Sequence, residues 1–281
     1  MKKTVFTVMA LFMALSVFAG GKGQSSSGNS PDEIKKAGKI RIGIFSDKKP
    51  FGYVDERGVY QGYDVYFAHR LAKDLLGDEN AIEFVPLEPA NRVEFLQSDK
   101  VDIVLANFTV TPARAEAVDF ALPYMKVALG VVSPDSKSIR SITDLEGKEL
   151  IIIKGTTAET YFAEKYPKII LQKYDQITTA FNALKDGRGA ALSQDNTLLF
   201  AWARENPGFT TSIESIGSLD TIAPAVKKGN KALLDWLNDE IKNKLGDNFF
   251  HDDYQATLLP VYGNTVDPES VVVENRRDRK R

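Results

Sequence analysis

The chain contains no cysteine. That rules out a thiol nucleophile and any disulfide framework, and it leaves stability to a hydrophobic core, which 281 residues can supply. Histidine is almost as scarce. His69 and His251 lie far apart and offer no metal-ligand spacing. There is no H-E-x-x-H, no G-x-S-x-G and no P-loop, so the common enzyme signatures are missing. Neither sign of charge dominates. Lys and Arg total 36 against 38 Asp and Glu, a net charge of −2, so no global field draws the chain to nucleic acid or an anionic membrane. Beyond residue 21 no run reaches the roughly 18 apolar residues that a spanning helix needs. No short-period repeat occurs.

What is present starts with residues 1–21. Lys2 and Lys3 precede a largely apolar run, residues 5–19, and small residues follow. This is the pattern of a bacterial export signal, which places the mature protein in the periplasm or at the cell surface. Phe18-Ala19-Gly20 before Gly21 resembles a lipoprotein processing box without its acylated cysteine. Natural loss, an engineered change and ordinary signal-peptide cleavage remain open, and no lipid anchor can form at this site. Residues 22–30, KGQSSSGNS, read as a flexible linker.

From residue 31 onward strands and helices alternate, which argues for α/β architecture with mainly parallel sheets. Strands are expected at 39–45, 82–87 and 101–106, with helices at 63–76, 91–97 and 112–118. Residues 126–134, KVALGVVSP, form an apolar extended run that crosses to a second set. Its strands are 149–154, 169–174 and 189–193, and its helices are 157–166, 177–185 and 196–205. Residues 218–227 cross back. Leu233, Leu234, Leu237, Ile241 and Leu245 then make one apolar helical stripe over 231–245 that can pack on the first unit. The expected organisation is lobe 1 from residues 31–127 and 224–270, lobe 2 from 128–223, and a basic tail at 271–281.

Three constellations sit at the carboxyl ends of expected strands, where open α/β sheets bind ligands. The first is VDIVLANFTVTPAR, residues 101–114. A buried strand empties into Asn107-Phe108-Thr109, and a helix starts at Thr111-Pro112. Arg114 falls in the first helical turn, where the dipole disfavours a cation, so a small carboxylate is its natural partner. The second is Lys154-Gly155-Thr156-Thr157-Ala158-Glu159, either a plain strand–helix turn with a capping box or an anion site at the Thr157 N–H. The third is Gln194-Asp195, where Asp195 is either a helix N-cap or an acceptor for an ammonium group.

Together the three match a zwitterion. The carboxylate of an α-amino acid meets Arg114 and backbone N–H groups near Thr109 and Thr157. Its ammonium meets Asp195, the Thr109 hydroxyl and the Asn107 carbonyl. Arg92 reads as either a solvated surface arginine or a contact to a polar ligand side chain. Phe51 and Tyr53 either wall the cleft or fill the core.

The motifs Gly62-Tyr63-Asp64-Val65, Asn107-Phe108-Thr109-Val110-Thr111-Pro112-x-Arg114, Lys154-Gly155-Thr156-Thr157 and Gln194-Asp195, in this order, resemble those of the polar amino-acid-binding proteins of bacterial ABC importers, solute-binding family 3. The family often has an acid two residues after Asp64, where this chain has Tyr66. The resemblance implies a two-lobed periplasmic-binding-protein (venus-flytrap) fold with two crossing hinge segments, a monomeric receptor, a membrane permease as partner, and no cofactor or metal. PFGYVDERG, EPANRVEFL, ANFTVTPAR and DNTLLFAWA look most like cysteine-binding lipoproteins of that family. The Asn91-Arg92 pair also occurs in aspartate/glutamate binders. A cyclohexadienyl-dehydratase-like enzyme on the same fold is the competing class; it needs a general acid beside the ligand in addition to Asp195. Replacing Arg114 with Ala should weaken amino-acid binding by about 3 kcal/mol, over a hundredfold in Kd, with the fold intact. Near-normal affinity by calorimetry contradicts the role given to Arg114.

Overall fold

The computed structural model describes residues 28–274. The expected export signal, the first part of the linker and the basic residues after 274 lie outside the described residues. Asn29 and Ser30, placed in the linker by sequence, are already anchored. Asn29 Nδ2 donates to Asp102 Oδ1 at 2.9 Å, and Ser30 caps the first helix, α1 (Pro31–Ala37).

The first unit continues with β1 (Ile40–Ile44), β2 (Asp47–Lys48), β3 (Gly52–Val54), β4 (Tyr60–Gln61) and α2 (Tyr63–Leu76). β5 (Ile82–Pro86), α3 (Arg92–Gln97), β6 (Ile103–Val104), α4 (Pro112–Ala117) and β7 (Val118–Phe120) follow. The long strand β8 (Met125–Pro134) leads into the second unit: β9 (Glu149–Ile153), α5 (Thr157–Lys165), β10 (Ile170–Tyr174), α6 (Ile177–Lys185), β11 (Ala191–Asp195) and α7 (Asn196–Glu205). β12 (Phe209–Ile222) returns to β13 (Ala225–Lys227) and α8 (Lys231–Asp239), and the chain closes with α9 (Phe249–Asp253), α10 (Leu259–Tyr262) and α11 (Pro268–Val271).

Two five-stranded sheets result, β5-β1-β6-β13-β7 and β10-β9-β11-β8-β12, beside a small sheet β2-β3-β4. The larger sheets are mixed rather than mainly parallel. β1 runs parallel to β5 and β6, whereas β13 is antiparallel to β6 and β7, because it returns from the other unit. β8 and β12 pair antiparallel from Met125↔Ile222 outward, so the two crossing segments are themselves a ladder.

The strand expected over 101–106 is laddered only at Ile103 and Val104, although all six residues are buried. The flanking residues still run beside β1, with Asp102 N–H donating to Arg41 O and Leu105 N–H to Gly43 O. The stripe Leu233, Leu237, Ile241 and Leu245 packs into the core as expected, but the α-helix gives way to a π-turn at Glu240–Lys244. Residues 271–274, assigned to a basic tail, instead belong to the packed structure. Val271 and Val272 are buried, and Val272 bridges Met125 at the start of β8.

One buried carboxylate ties these parts beneath the loop after β6. Asp64, in the first turn of α2, accepts from the Asn107 N–H at 2.9 Å and from the Tyr124 hydroxyl at 2.6 Å. Burial outweighs both bonds and raises its carboxyl from an ordinary 3.8 to about 6. Between these values the native state keeps a proton that the unfolded chain has lost, so this group's contribution to stability falls as pH rises through the window. Denaturant unfolding should show wild type losing stability relative to Asp64→Asn between about pH 4 and 6. A difference that does not change with pH contradicts this.

Candidate functional site

The carboxyl ends of the two sheets face each other, and the charged groups of the site lie where they meet. The cap expected at Thr111 is present: its hydroxyl accepts from the Arg114 N–H at 3.3 Å, with Pro112 at the helix start. Arg114 then reaches backward. Nη1 donates to Thr109 O at 2.7 Å and Nη2 to Gly155 O, in the other unit, at 2.8 Å. Burial lowers this guanidinium to about 10, which leaves it charged at neutral pH.

Arg92 is fully buried. Nε donates to Pro89 O at 3.0 Å, Nη1 to Ala106 O and Asn107 O at 3.1 Å each, and Nη2 to Gly155 O at 3.0 Å. Both guanidiniums also lie over the Phe108 ring, 4.4 Å from its centroid for Arg92 and 4.9 Å for Arg114. Two cations from one unit therefore converge on one carbonyl of the other.

Gly155 makes this approach possible. It has φ +74°, and a Cβ there would lie 2.5 Å from Ala90 Cα. Thr156 caps α5, its hydroxyl accepting from the Glu159 N–H at 3.4 Å. The Glu159 carboxylate does not complete the expected capping box; it accepts from the Gly155 N–H at 2.8 Å and pairs with Lys173. Thr157 then opens the helix, whose first N–H groups lack intrahelical partners.

Asp195 occupies the N-cap position of α7, yet its side chain makes no capping bond. It turns to Lys48, whose Nζ lies 3.2 Å from Asp195 Oδ2 and also donates to Asn107 Oδ1. Lys48 is buried against the Phe45 and Phe51 rings, at 5.4 and 5.7 Å. Burial pushes its ammonium below the ordinary lysine range, and Asp195 pulls it back up. Asn107 adopts a positive φ of 44°, which aims its side chain at this ammonium. Its backbone oxygen, expected to meet a ligand, is engaged by Arg92.

These groups close on one cavity of only about 10 Å³, with Phe45, Lys48, Arg92, Asn107, Thr109, Arg114, Thr156, Thr157, Gln194 and Asp195 in its wall. That is room for about one water, so a solute enters only when the two walls part. Six of the eight residues expected at the site, Arg114, Thr109, Asn107, Thr157, Asp195 and Arg92, come together here. Phe51 and Tyr53 do not line it. Phe51 is core beneath Lys48, and Tyr53 pairs with Asp47 and Gln61 in the small sheet.

Lys48, Phe45 and Gln194 were not singled out as contacts by sequence. Lys48 stands in Lys-Lys-Pro, which reads as a surface turn, and a two-residue strand is too short to show its alternation. Gln194 Nε2 is buried without a hydrogen-bond partner among the described residues, while its Oε1 accepts from the Asp195 N–H. A buried donor of this kind calls for an acceptor from a ligand.

The facing surfaces are joined outside the cavity too. Asp47 Oδ2 accepts from the Ile177 and Thr178 N–H groups at 3.0 and 3.2 Å, capping α6 from the opposite unit. Lys49 pairs with Glu205 at 2.6 Å in solvent. Neither histidine is near. His69 Nδ1 meets Glu79 O at 2.7 Å on α2, and His251 sits between Glu269 and Glu274.

The sequence pattern of the bacterial extracellular solute-binding proteins, family 3, matches residues 40–249. The chain belongs to that family. Among solved family structures, an L-cysteine solute receptor of Neisseria gonorrhoeae is 55% identical, with a TM-score of 0.86, covering 88% of this chain and all of that one. A cysteine-binding protein from Campylobacter jejuni is 56% identical, with a TM-score of 0.85, covering 87% of this chain and 98% of that one. The glutamine-binding protein of an ABC transporter from Bacillus subtilis is 30% identical over 91% of this chain and 97% of its own length.

The geometry revises the sequence expectation for Arg92. With four N–H···O contacts to backbone carbonyls, its removal should unsettle the walls of the cavity as a whole. Arg92→Ala should weaken binding of every amino acid by a similar factor, about tenfold or more. Calorimetry that finds one side-chain class alone affected would contradict this and restore the selective role.

Proposed function

We propose that the protein is the extracytoplasmic receptor of an amino-acid ABC importer and that its ligand is L-cysteine, held between the lobes and presented to the membrane permease. It is a binding protein and not an enzyme, as are its relatives. The observation that carries the reading is the pairing, in the wall of one small cavity, of the buried Arg114 with an Asp195 that makes no capping bond to its own helix. Arg114 and the α5 N-terminus at Thr157 take the ligand carboxylate, and Asp195 takes its ammonium. The two relatives named for cysteine, at 55% and 56% identity, support that choice of side chain.

We place lobe 1 at residues 31–127 and 224–270 with the helical end that follows, and lobe 2 at 128–223. Ligand contacts to both lobes favour the closed arrangement by their differential affinity, and the permease reads that arrangement. Residues 1–21 direct export, and the missing cysteine at Gly21 leaves the receptor without an acyl anchor at that position.

A thermal-shift panel of the twenty amino acids plus cystine tests the assignment. L-cysteine at a hundredfold excess over Kd should raise the melting temperature by about 5–10 °C. Asp195→Asn should remove most of that rise. A larger shift with aspartate or glutamate moves the assignment to acidic amino acids, and an unchanged shift in Asp195→Asn overturns the ammonium contact.

A further inference from the structure

We propose that Lys48 is the specificity-determining residue of the site and that it pairs with an anionic ligand side chain, which for cysteine is the thiolate. The inference rests on the cysteine reading above.

The argument starts from charge. Three cations surround the cavity: Lys48 from β2, Arg92 from α3 and Arg114 from α4. The nearby anions are Asp195 at the end of β11 and Asp64 on α2, the latter tied to Asn107 and Tyr124. Asp220 of β12 acts on Arg114, and Glu159 of α5 is held by the Gly155 N–H and Lys173. In the cavity wall itself the count is three cations to one anion, Asp195. A neutral zwitterion leaves that imbalance in place, whereas a ligand carrying one net negative charge reduces it.

Donor geometry then picks out Lys48. Arg92 has committed its guanidinium to four carbonyl contacts. Arg114 is positioned for the carboxylate. Lys48 has three N–H donors and uses two, on Asn107 Oδ1 and Asp195 Oδ2. When a ligand ammonium takes Asp195, Lys48 shares or loses its carboxylate while still buried against Phe45 and Phe51. An unpaired buried ammonium is costly, so the site favours a ligand that brings a second anion. A cysteine side chain does so by losing its S–H proton to water. A neighbouring ammonium lowers a thiol's pKa, which makes that loss favourable near neutral pH. A serine hydroxyl stays neutral and leaves Lys48 without the new partner.

The chain's lack of cysteine makes the test clean, because bound ligand is the only thiol present. The ultraviolet thiolate band of L-cysteine is titrated in the presence of excess protein, with L-serine as the blank. The bound thiol should ionise well below the ordinary value of about 8.5. Cysteine affinity should then rise about tenfold per pH unit between the bound and free values, while serine affinity stays flat. In Lys48→Met the bound thiol should titrate higher, and the preference for cysteine over serine should fall by about tenfold or more. Cysteine that binds without a thiolate band at neutral pH overturns this inference alone. A variant with an unchanged band assigns the effect away from Lys48 and overturns it too. Absence of any cysteine binding overturns the inference together with the ligand assignment.

Discussion

The carbonyl of Gly155 is the point on which the site depends. It accepts from Arg92 at 3.0 Å and from Arg114 at 2.8 Å, two buried cations that approach from the opposite sheet. A neutral carbonyl satisfies their hydrogen bonds but not their charge. The same carbonyl belongs to the turn that delivers Thr157 and the α5 N-terminus, another region of positive potential. The walls are thus complementary to an anion before any other contact is considered. Ala90 packs where a Gly155 side chain would be, so this meeting of surfaces is possible only with glycine at that position.

Opposite this positive wall stands Asp195, which makes no capping bond to its own helix. A carboxylate-binding wall and a buried carboxylate lining the same cavity are a matched pair of poles for an α-amino acid. Lys48 connects them. In this structure its ammonium rests on Asp195 and Asn107, where a ligand ammonium also belongs. Ligand and lysine therefore meet at one carboxylate, and whatever side chain the ligand carries decides where the lysine charge goes. The outer contacts, Asp47 on the α6 N-terminus and Lys49 with Glu205, hold the same two surfaces together without touching the cavity. The exposed Lys49 pair adds little, since solvent screens it.

Much of this was legible in the sequence because it is local. The helices at 63–76, 177–185 and 196–205 follow from uninterrupted apolar spacing between clear stops, and all three have the expected bounds. Arg114 stood out because a cation in the first turn of a helix breaks a local rule, and Asp195 because it stands at a strand–helix junction, where the sequence left it either an N-cap or an ammonium acceptor. What stayed hidden is long-range. β13 runs antiparallel because of where the chain returns, which no local pattern records. Lys48 is buried by a hairpin whose strands are two and three residues long. The ends at 249–274 are short helices joined by a π-turn, and they pack through aromatic contacts such as Phe67 with Phe250 at 5.0 Å rather than through a readable stripe.

The most direct check is a crystal structure of the protein with L-cysteine bound. The account predicts the ligand carboxylate on Arg114 and the Thr157 N–H, and its ammonium on Asp195, with Gly155 still receiving both guanidiniums. Cysteine seated elsewhere, for example in the open groove along α2 beside Tyr66, Arg70 and Lys73, would contradict it.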